Sequence, residues 1–106
     1  MIKIATSVRN DNKSVIAVLP PTDVTTTTVT LNSILTAAGI HASGKDIDLE
    51  NFSTTGTLYL SKSTPATAAN SFRLEAKIGL PIKLRLDDYV AAASGTVQIQ
   101  AVVYDS

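Results

Sequence analysis

The residues closest to a known chemical motif are Gly39, Gly44 and Lys45, which fit the G-x-x-x-x-G-K spacing of a loop that wraps phosphates around a lysine. In that loop the next residue is Ser or Thr, whose hydroxyl meets magnesium, but here it is Asp46, which would repel phosphate. The order of elements is also reversed, since a helical pattern precedes the loop. We therefore predict a helix-capping turn with Lys45 exposed.

Three carboxylates occupy every second position after this turn: Asp46, Asp48 and Glu50. In an extended segment all three share one face, and Ile47 and Leu49 point the other way. Hard cations such as calcium bind clustered oxygens, although the glycine of the usual calcium loop is missing. The three acids are thus a weak candidate for a metal site, and a solvated face is the interpretation we favour.

Nothing else in the chain forms a convincing catalytic centre. His41 is the only histidine and there is no cysteine, which excludes histidine clusters and all thiolate chemistry. The G-x-S-x-G elbow of serine hydrolases is absent. Asp87 and Asp88 could act as a pair of acids, but a turn acid that caps a local backbone group is the simpler interpretation. We predict a protein that is not an enzyme and binds no cofactor.

The charge of the chain gives no reason to expect a nucleic-acid partner. Lys plus Arg and Asp plus Glu both total 9, so the formal charge is zero. A mild basic patch would form if two neighbouring strands carried the outward residues Arg73, Lys77, Lys83 and Arg85. Single strands and RNA also need aromatic platforms, and Phe72 is predicted to point inward. Asn51 begins a glycosylation triplet, which has meaning only in a secreted chain.

No membrane partner is expected either, because no apolar run approaches about 18 residues. The amino terminus lacks an apolar run of signal-peptide length. The 106 residues suit one domain, so we predict a single domain over residues 1–106 that is made in the cytoplasm.

Alternating hydrophobicity predicts strands over residues 71–80, over residues 82–87 after a bend at Pro81, and over residues 96–104. The polar face of the last segment carries Gln98 and Gln100 rather than charges, which favours partial cover by a partner. Weaker patterns predict the remaining strands: residues 2–8, 14–19, 24–30 and 53–61. We expect Pro20 and Pro21 to end the second of these, as a strand buried on both faces. Residues 87–95 are predicted to be a helical turn or a loop.

One segment has helical spacing at i, i+3, i+4 and i+7, formed by Leu31, Ile34, Leu35 and Ala38. Thr30 or Asn32 can cap its start, and Gly39 stands where a left-handed cap ends a helix. About seven short antiparallel strands with one short helix near residues 31–38 predict an all-β fold, a single-domain, jelly-roll-like β-sandwich. An open barrel is the second choice.

In its composition the chain resembles small capsid decoration or cement proteins of tailed bacteriophages. The resemblance lies in Thr-, Ala- and Ser-rich strands, the lack of cysteine, the zero net charge and the use of a whole reading frame as one sandwich. It implies a virion structural protein made in the host cytoplasm. It also implies a homo-oligomer, often a trimer, that adheres to a major capsid or other virion protein.

On this hypothesis many shallow contacts would join copies to a lattice, and avidity would offset their weakness. The interface residues we predict lie in three segments: Met1, Ile2, Ile4, Val24, Thr26, Thr28, Gln98, Gln100 and Tyr104. Sheet interior or solvent face is an equally simple interpretation for each. The alternative function is a carbohydrate- or ligand-binding sandwich with a platform built from Tyr59, Tyr89 and Tyr104.

Overall fold

The computed structural model of the chain describes residues 14–105. Within them lie eight strands: β1 Val15–Val24, β2 Val29–Thr30, β3 Asp46–Asn51, β4 Leu58–Ser61, β5 Ser71–Leu74, β6 Gly79–Lys83, β7 Tyr89–Ala92 and β8 Val97–Tyr104. A helix, α1, spans Leu31–Ala37. The strand predicted over residues 2–8, with the interface residues Met1, Ile2 and Ile4, lies outside the described residues.

The strands form two four-stranded antiparallel sheets. Sheet 1 has the order β1-β8-β3-β6 and sheet 2 the order β2-β7-β4-β5. The first strand therefore pairs with the last, the second with the seventh, the third with the sixth and the fourth with the fifth. This is the strand order of a jelly roll, a hairpin rolled up until its two halves face each other. The predicted fold class is confirmed.

The core lies between the sheets and follows the predicted alternation most closely in β8. Its inward side chains are all buried: Val97, Ile99, Ala101 and Val103. Ile47 and Leu49 of β3 join them from sheet 1, while Leu58 and Val90 reach in from sheet 2. These aliphatic side chains form one contiguous cluster, so the two sheets are held face to face by burial of apolar surface.

Helix α1 begins and ends where the sequence predicts. Thr30 Oγ1 accepts a hydrogen bond from the N–H of Ser33 at 3.1 Å, which caps the first turn. Gly39 has φ +81°, and the N–H of Ile40 then donates to the carbonyl of Leu35 at 2.9 Å. That pair of features defines a Schellman cap. No helix in the described part of the chain is long and apolar enough to cross a membrane.

Strand β1 differs from its prediction at both ends. It continues through Pro20 and Pro21 to Val24, with a register shift between Leu19 and Thr22. Because β1 is the outermost described strand of sheet 1, its prolines need donate to no further strand among residues 14–105, and a bulge accommodates them. The strand is accordingly exposed over much of its length rather than buried on both faces. Beyond it, only Val29–Thr30 of the predicted strand over residues 24–30 is extended and paired.

The segment 71–80 is two strands and not one. Strand β5 ends at Leu74, the chain turns through Lys77, whose φ is +69°, and β6 begins at Gly79 in the other sheet. Strand β6 contains Pro81 and ends at Lys83, so the second predicted run is also shorter. Arg73 lies in β5 of sheet 2 and Lys83 in β6 of sheet 1, so the pair of neighbouring strands that the predicted basic patch requires is not formed.

A strand was missed within residues 87–95. Strand β7 spans Tyr89–Ala92 and lies between β2 and β4 in sheet 2. Its last three residues, Val90, Ala91 and Ala92, are all buried. The small outward residue Ala91 is buried as well as the inward Val90 and Ala92, so the strand shows no alternation and the pattern did not indicate it.

Candidate functional site

The acidic row is assembled as predicted, but its neighbours do not suit a cation. Asp46, Asp48 and Glu50 lie at alternate positions of β3. Lys83 Nζ stands 2.9 Å from Asp46 Oδ1, and the Tyr104 hydroxyl donates to Asp48 Oδ2 at 3.1 Å. The ammonium group of Lys83 therefore already pairs with the first of the three carboxylates, and the second accepts a hydrogen bond from a tyrosine. Among residues 14–105 no group of three or more His or acidic side chains is arranged to hold a metal ion.

The glycine loop is a structural turn. Gly44 donates its N–H to the carbonyl of Leu84 at 2.9 Å, and Lys45 Nζ lies 3.5 Å from Asp105 Oδ1. Its glycines take up left-handed conformations, as a capping turn requires. His41 is exposed on the same loop. The loop closes one end of the sandwich.

The adjacent acids Asp87 and Asp88 have different surroundings. Asp88 is buried, its Oδ2 accepts from the N–H of Arg85 at 2.9 Å, and its Oδ1 is paired with Lys62. Asp87 is exposed and lies 3.8 Å from the same Lys62 Nζ. Asp88 therefore acts as the turn acid that the sequence favoured.

Two of the predicted interface residues are buried within the fold. Val24 and Tyr104 are each only 2% exposed. Val24 faces the core opposite Val97, while Tyr104 is fixed through its hydroxyl to Asp48. Neither side chain is accessible to a partner, which corrects their place among the predicted interface residues. The other predicted contacts in the described chain are exposed or half-buried: Thr26, Thr28, Gln98 and Gln100.

Asn51 has a structural role that the sequence did not reveal. It is fully buried, and its Nδ2 donates to the carbonyls of Gly56 at 3.1 Å and Leu74 at 2.9 Å. The side chain thus ties β3 of sheet 1 to the end of β5 in sheet 2. Because both amide hydrogens are used inside the fold, Asn51 cannot carry a glycan in the folded protein.

The first exposed apolar surface is the edge strand β1. Val15, Ile16 and Val18 are 56%, 49% and 54% exposed. Among the described strands β1 pairs only with β8, so its other backbone edge is unpaired. A long strand with a free edge and aliphatic side chains is a template for pairing with another chain. Sequence reasoning missed it by assuming that an apolar run must be buried.

The second exposed apolar surface is an opening between the sheets. Strand β5 is the edge of sheet 2 and β6 the edge of sheet 1, and a cavity of about 430 Å³ lies between them. Four apolar side chains line it: Leu60, Phe72, Leu80 and Ile82. We call this cavity the flank groove. Its size falls in the range of pockets that take small ligands or a few side chains.

Polar side chains rim the flank groove at one end: Ser61, Lys62, Ser63, Asn70, Lys83 and Asp88. Phe72 pairs with Leu60 and shares the inner face of β5 with Leu74, so its predicted inward direction is right. It is nevertheless 56% exposed, because no described strand lies beyond β5 to cover it. The groove therefore exposes apolar side chains at the side of the core where the described strands of both sheets end.

Two of the three tyrosines share the outer face of sheet 2. Tyr59 pairs with Ala91, and Tyr89 pairs with Ser61, so the two tyrosines are diagonal neighbours on adjacent strands. Both are half-buried. The predicted three-tyrosine platform is thereby reduced to a pair, since Tyr104 is buried in sheet 1.

No family model, curated protein or solved structure matches this chain. The fold class defined above therefore stands on the strand pairing itself. The candidate sites within residues 14–105 are surfaces: an edge of β1 that pairs with no other described strand, an apolar flank groove and a pair of outward tyrosines.

Proposed function

We propose that this protein is a structural component of a virus particle that works by self-association and by adhesion to a protein lattice. The single observation that carries the proposal is the exposed aliphatic edge of β1. Jelly rolls recur in viral capsid proteins, which supports the proposal by analogy of fold. A formal net charge of zero also favours association of copies.

The partner in the first instance is another copy of the chain, and a trimer suits the hypothesis. Burying the exposed halves of Ile16 and Val18 would contribute about 1 kcal/mol each. Strand pairing along the edge of β1 that no described strand occupies would add main-chain hydrogen bonds and fix the register. Many such contacts on a repeating shell would reach high avidity.

The test is light scattering coupled to size-exclusion chromatography over a range of concentrations. We expect the wild type to form a trimer or larger assembly, and Ile16→Ser/Val18→Ser to weaken it about thirtyfold. Leu86→Ser is the matched control, since Leu86 is another exposed apolar side chain but lies between β6 and β7. A wild type that stays monomeric at high concentration contradicts self-association. Mass spectrometry of virus particles from the source of the gene tests the virion role, and absence of the chain contradicts it.

The alternative function is carbohydrate binding, and the Tyr59 and Tyr89 pair favours it. Aromatic rings side by side on a sheet face can stack on sugar rings. On this alternative a monomer would bind a glycan array, and Tyr59→Ala/Tyr89→Ala would abolish the signal. Thr57→Ala serves as the control, because Thr57 directly precedes β4 and carries no aromatic ring. A lack of glycan binding by the wild type contradicts the alternative.

A further inference from the structure

The flank groove lies at the opposite edge of sheet 1 from β1, the strand that carries the proposed function. In that sheet β1 and β6 are the two outermost described strands, and the groove opens beside β6 and β5. An occupant of the groove therefore need not interfere with association through β1. The groove is thus a second site, independent of the one on which the proposed function rests.

The apolar lining of the groove suits a flexible hydrocarbon chain. Leu60, Leu80 and Ile82 are aliphatic, half-buried and packed against the core cluster. Phe72 supplies the one aromatic ring of the lining, and it is largely exposed. A ligand that covered these side chains would remove apolar surface from water without disturbing the packing beneath them. Because the lining holds a single ring, an aliphatic chain suits it better than stacked rings do.

A positive charge stands at the polar end of the groove. Lys62 directly follows β4 and Asp88 directly precedes β7. Because the last residue of β4 pairs with the first residue of β7, the two side chains are neighbours across the strand ends. The side chain of Asp88 is only 6% exposed and also accepts from the N–H of Arg85, whereas that of Lys62 is 59% exposed. The carboxylate is held inside the fold, and a ligand therefore meets the ammonium group.

The ammonium group of Lys62 retains donors for a ligand. It has three N–H groups, and among the described contacts Asp88 takes one of them. Asp87 lies 3.8 Å away, which is beyond hydrogen-bonding distance, and it is not among the residues that line the groove. Lys83 also rims the groove, but it already pairs with an acid and donates to the carbonyl of Gly44 at 3.2 Å. Lys62 is therefore the expected anchor for an anion.

We propose that the flank groove binds a free aliphatic carboxylate of medium chain length. Its hydrocarbon chain lies along the apolar lining, and its carboxylate accepts charge-assisted hydrogen bonds from Lys62. The cavity of about 430 Å³ falls in the range of small-molecule sites, which are largely apolar with a few polar groups that fix the orientation of the ligand.

The test is a titration of the isotope-labelled full chain with octanoate, followed by heteronuclear NMR, with octanol as the neutral probe. We expect saturable shifts confined to the amides of β4, β5 and β6 around the groove. Octanoate should bind about fivefold more tightly than octanol at low salt, and added salt should reduce the difference. Heptanoate should bind about fourfold more weakly than octanoate, because it buries one methylene less.

Two substitutions of lysine test the anchor. Lys62→Gln keeps an N–H donor for Asp88 but removes the positive charge, so it should weaken octanoate binding about fivefold and leave octanol binding unchanged. Lys45→Gln is the matched control, because Lys45 also pairs with an acid but is not among the residues that line the groove. Equal binding of octanoate and octanol by the wild type would overturn the proposal. So would equal effects of the two substitutions.

Two substitutions of exposed apolar residues test the lining. Phe72→Ala should weaken the binding of both probes about fivefold, whereas Leu86→Ser, outside the groove, should weaken neither. Shifts that fail to saturate by about 1 mM octanoate, or that lie away from the groove, contradict the site. Ile16→Ser/Val18→Ser should bind octanoate as the wild type does. Failure of the groove to bind and failure of the chain to self-associate are therefore separate results.

Discussion

Two residues of the same short strand show the contrast between the closed interior and the flank groove. Leu74 and Phe72 both point to the inner face of β5, yet Leu74 is 1% and Phe72 56% exposed. Leu74 belongs to the buried core cluster and its carbonyl accepts from Asn51, whereas Phe72 lines the groove beside which no further described strand lies. The direction in which a side chain points follows from the alternation along its own strand. Its burial depends on which residues of the other sheet lie opposite it.

The largest expected effect sharpens this contrast. Leu74→Ala should cost about 2–5 kcal/mol of unfolding free energy, because it removes buried methyl groups and leaves a cavity. Phe72→Ala should cost less than about 1 kcal/mol, since most of that ring is already in water. Urea unfolding followed by circular dichroism, at a concentration where the protein is monomeric, measures both. Equal costs would mean that the groove is covered within a single copy.

The same contrast explains how far the sequence could lead. The alternation of β8 and the caps of α1 were predicted correctly, because both depend on neighbours within a few residues. Strand β7 was missed, since burial of Val90, Ala91 and Ala92 removes the period of two. The edge position of β1 could not be read either, because strand order is a property of the whole chain.

The candidate surfaces were only partly predictable for the same reason, because each is formed by strands that are distant in the sequence. The outward carboxylates of β3 could be placed on one face, but their neighbours Lys83 and Tyr104 come from other strands. The flank groove was missed for a related reason, since no local pattern indicates that β5 and β6 are the last described strands on the same side of the two sheets. The one local signal of an edge strand is the apolar run of β1 followed by two prolines, which by itself indicates the end of a strand equally well.

The next largest effect tests the hydrogen bonds by which Asn51 connects β3 of sheet 1 to β5 of sheet 2. Asn51→Ala should cost about 2–4 kcal/mol, because the carbonyls of Leu74 and Gly56 would lose their buried donor. Asn32→Ala, on half-buried surface of α1, is the control and should change stability by less than about 0.5 kcal/mol. Urea unfolding of the two variants provides the comparison. If Asn51→Ala lowered the unfolding free energy no more than the control, water would have to replace the lost donor. The site around Asn51 would then be accessible to water despite its burial.

The smallest effect compares two glycines, one against the closed interior and one in solvent. Gly56 has φ +98°, and a Cβ there would stand 2.9 Å from Cγ1 of the buried Val97. Gly95 has φ +61° with open space around it. Gly95→Ala should therefore cost about 1 kcal/mol for backbone strain alone, and Gly56→Ala about 1 kcal/mol more for the added contact. Thermal and urea unfolding should show a larger loss of stability for Gly56→Ala than for Gly95→Ala. In the Val97→Ala background, Gly56→Ala should cost about 1 kcal/mol less, because the contact with Cγ1 is gone. An unchanged cost in that background would assign the whole effect to backbone strain.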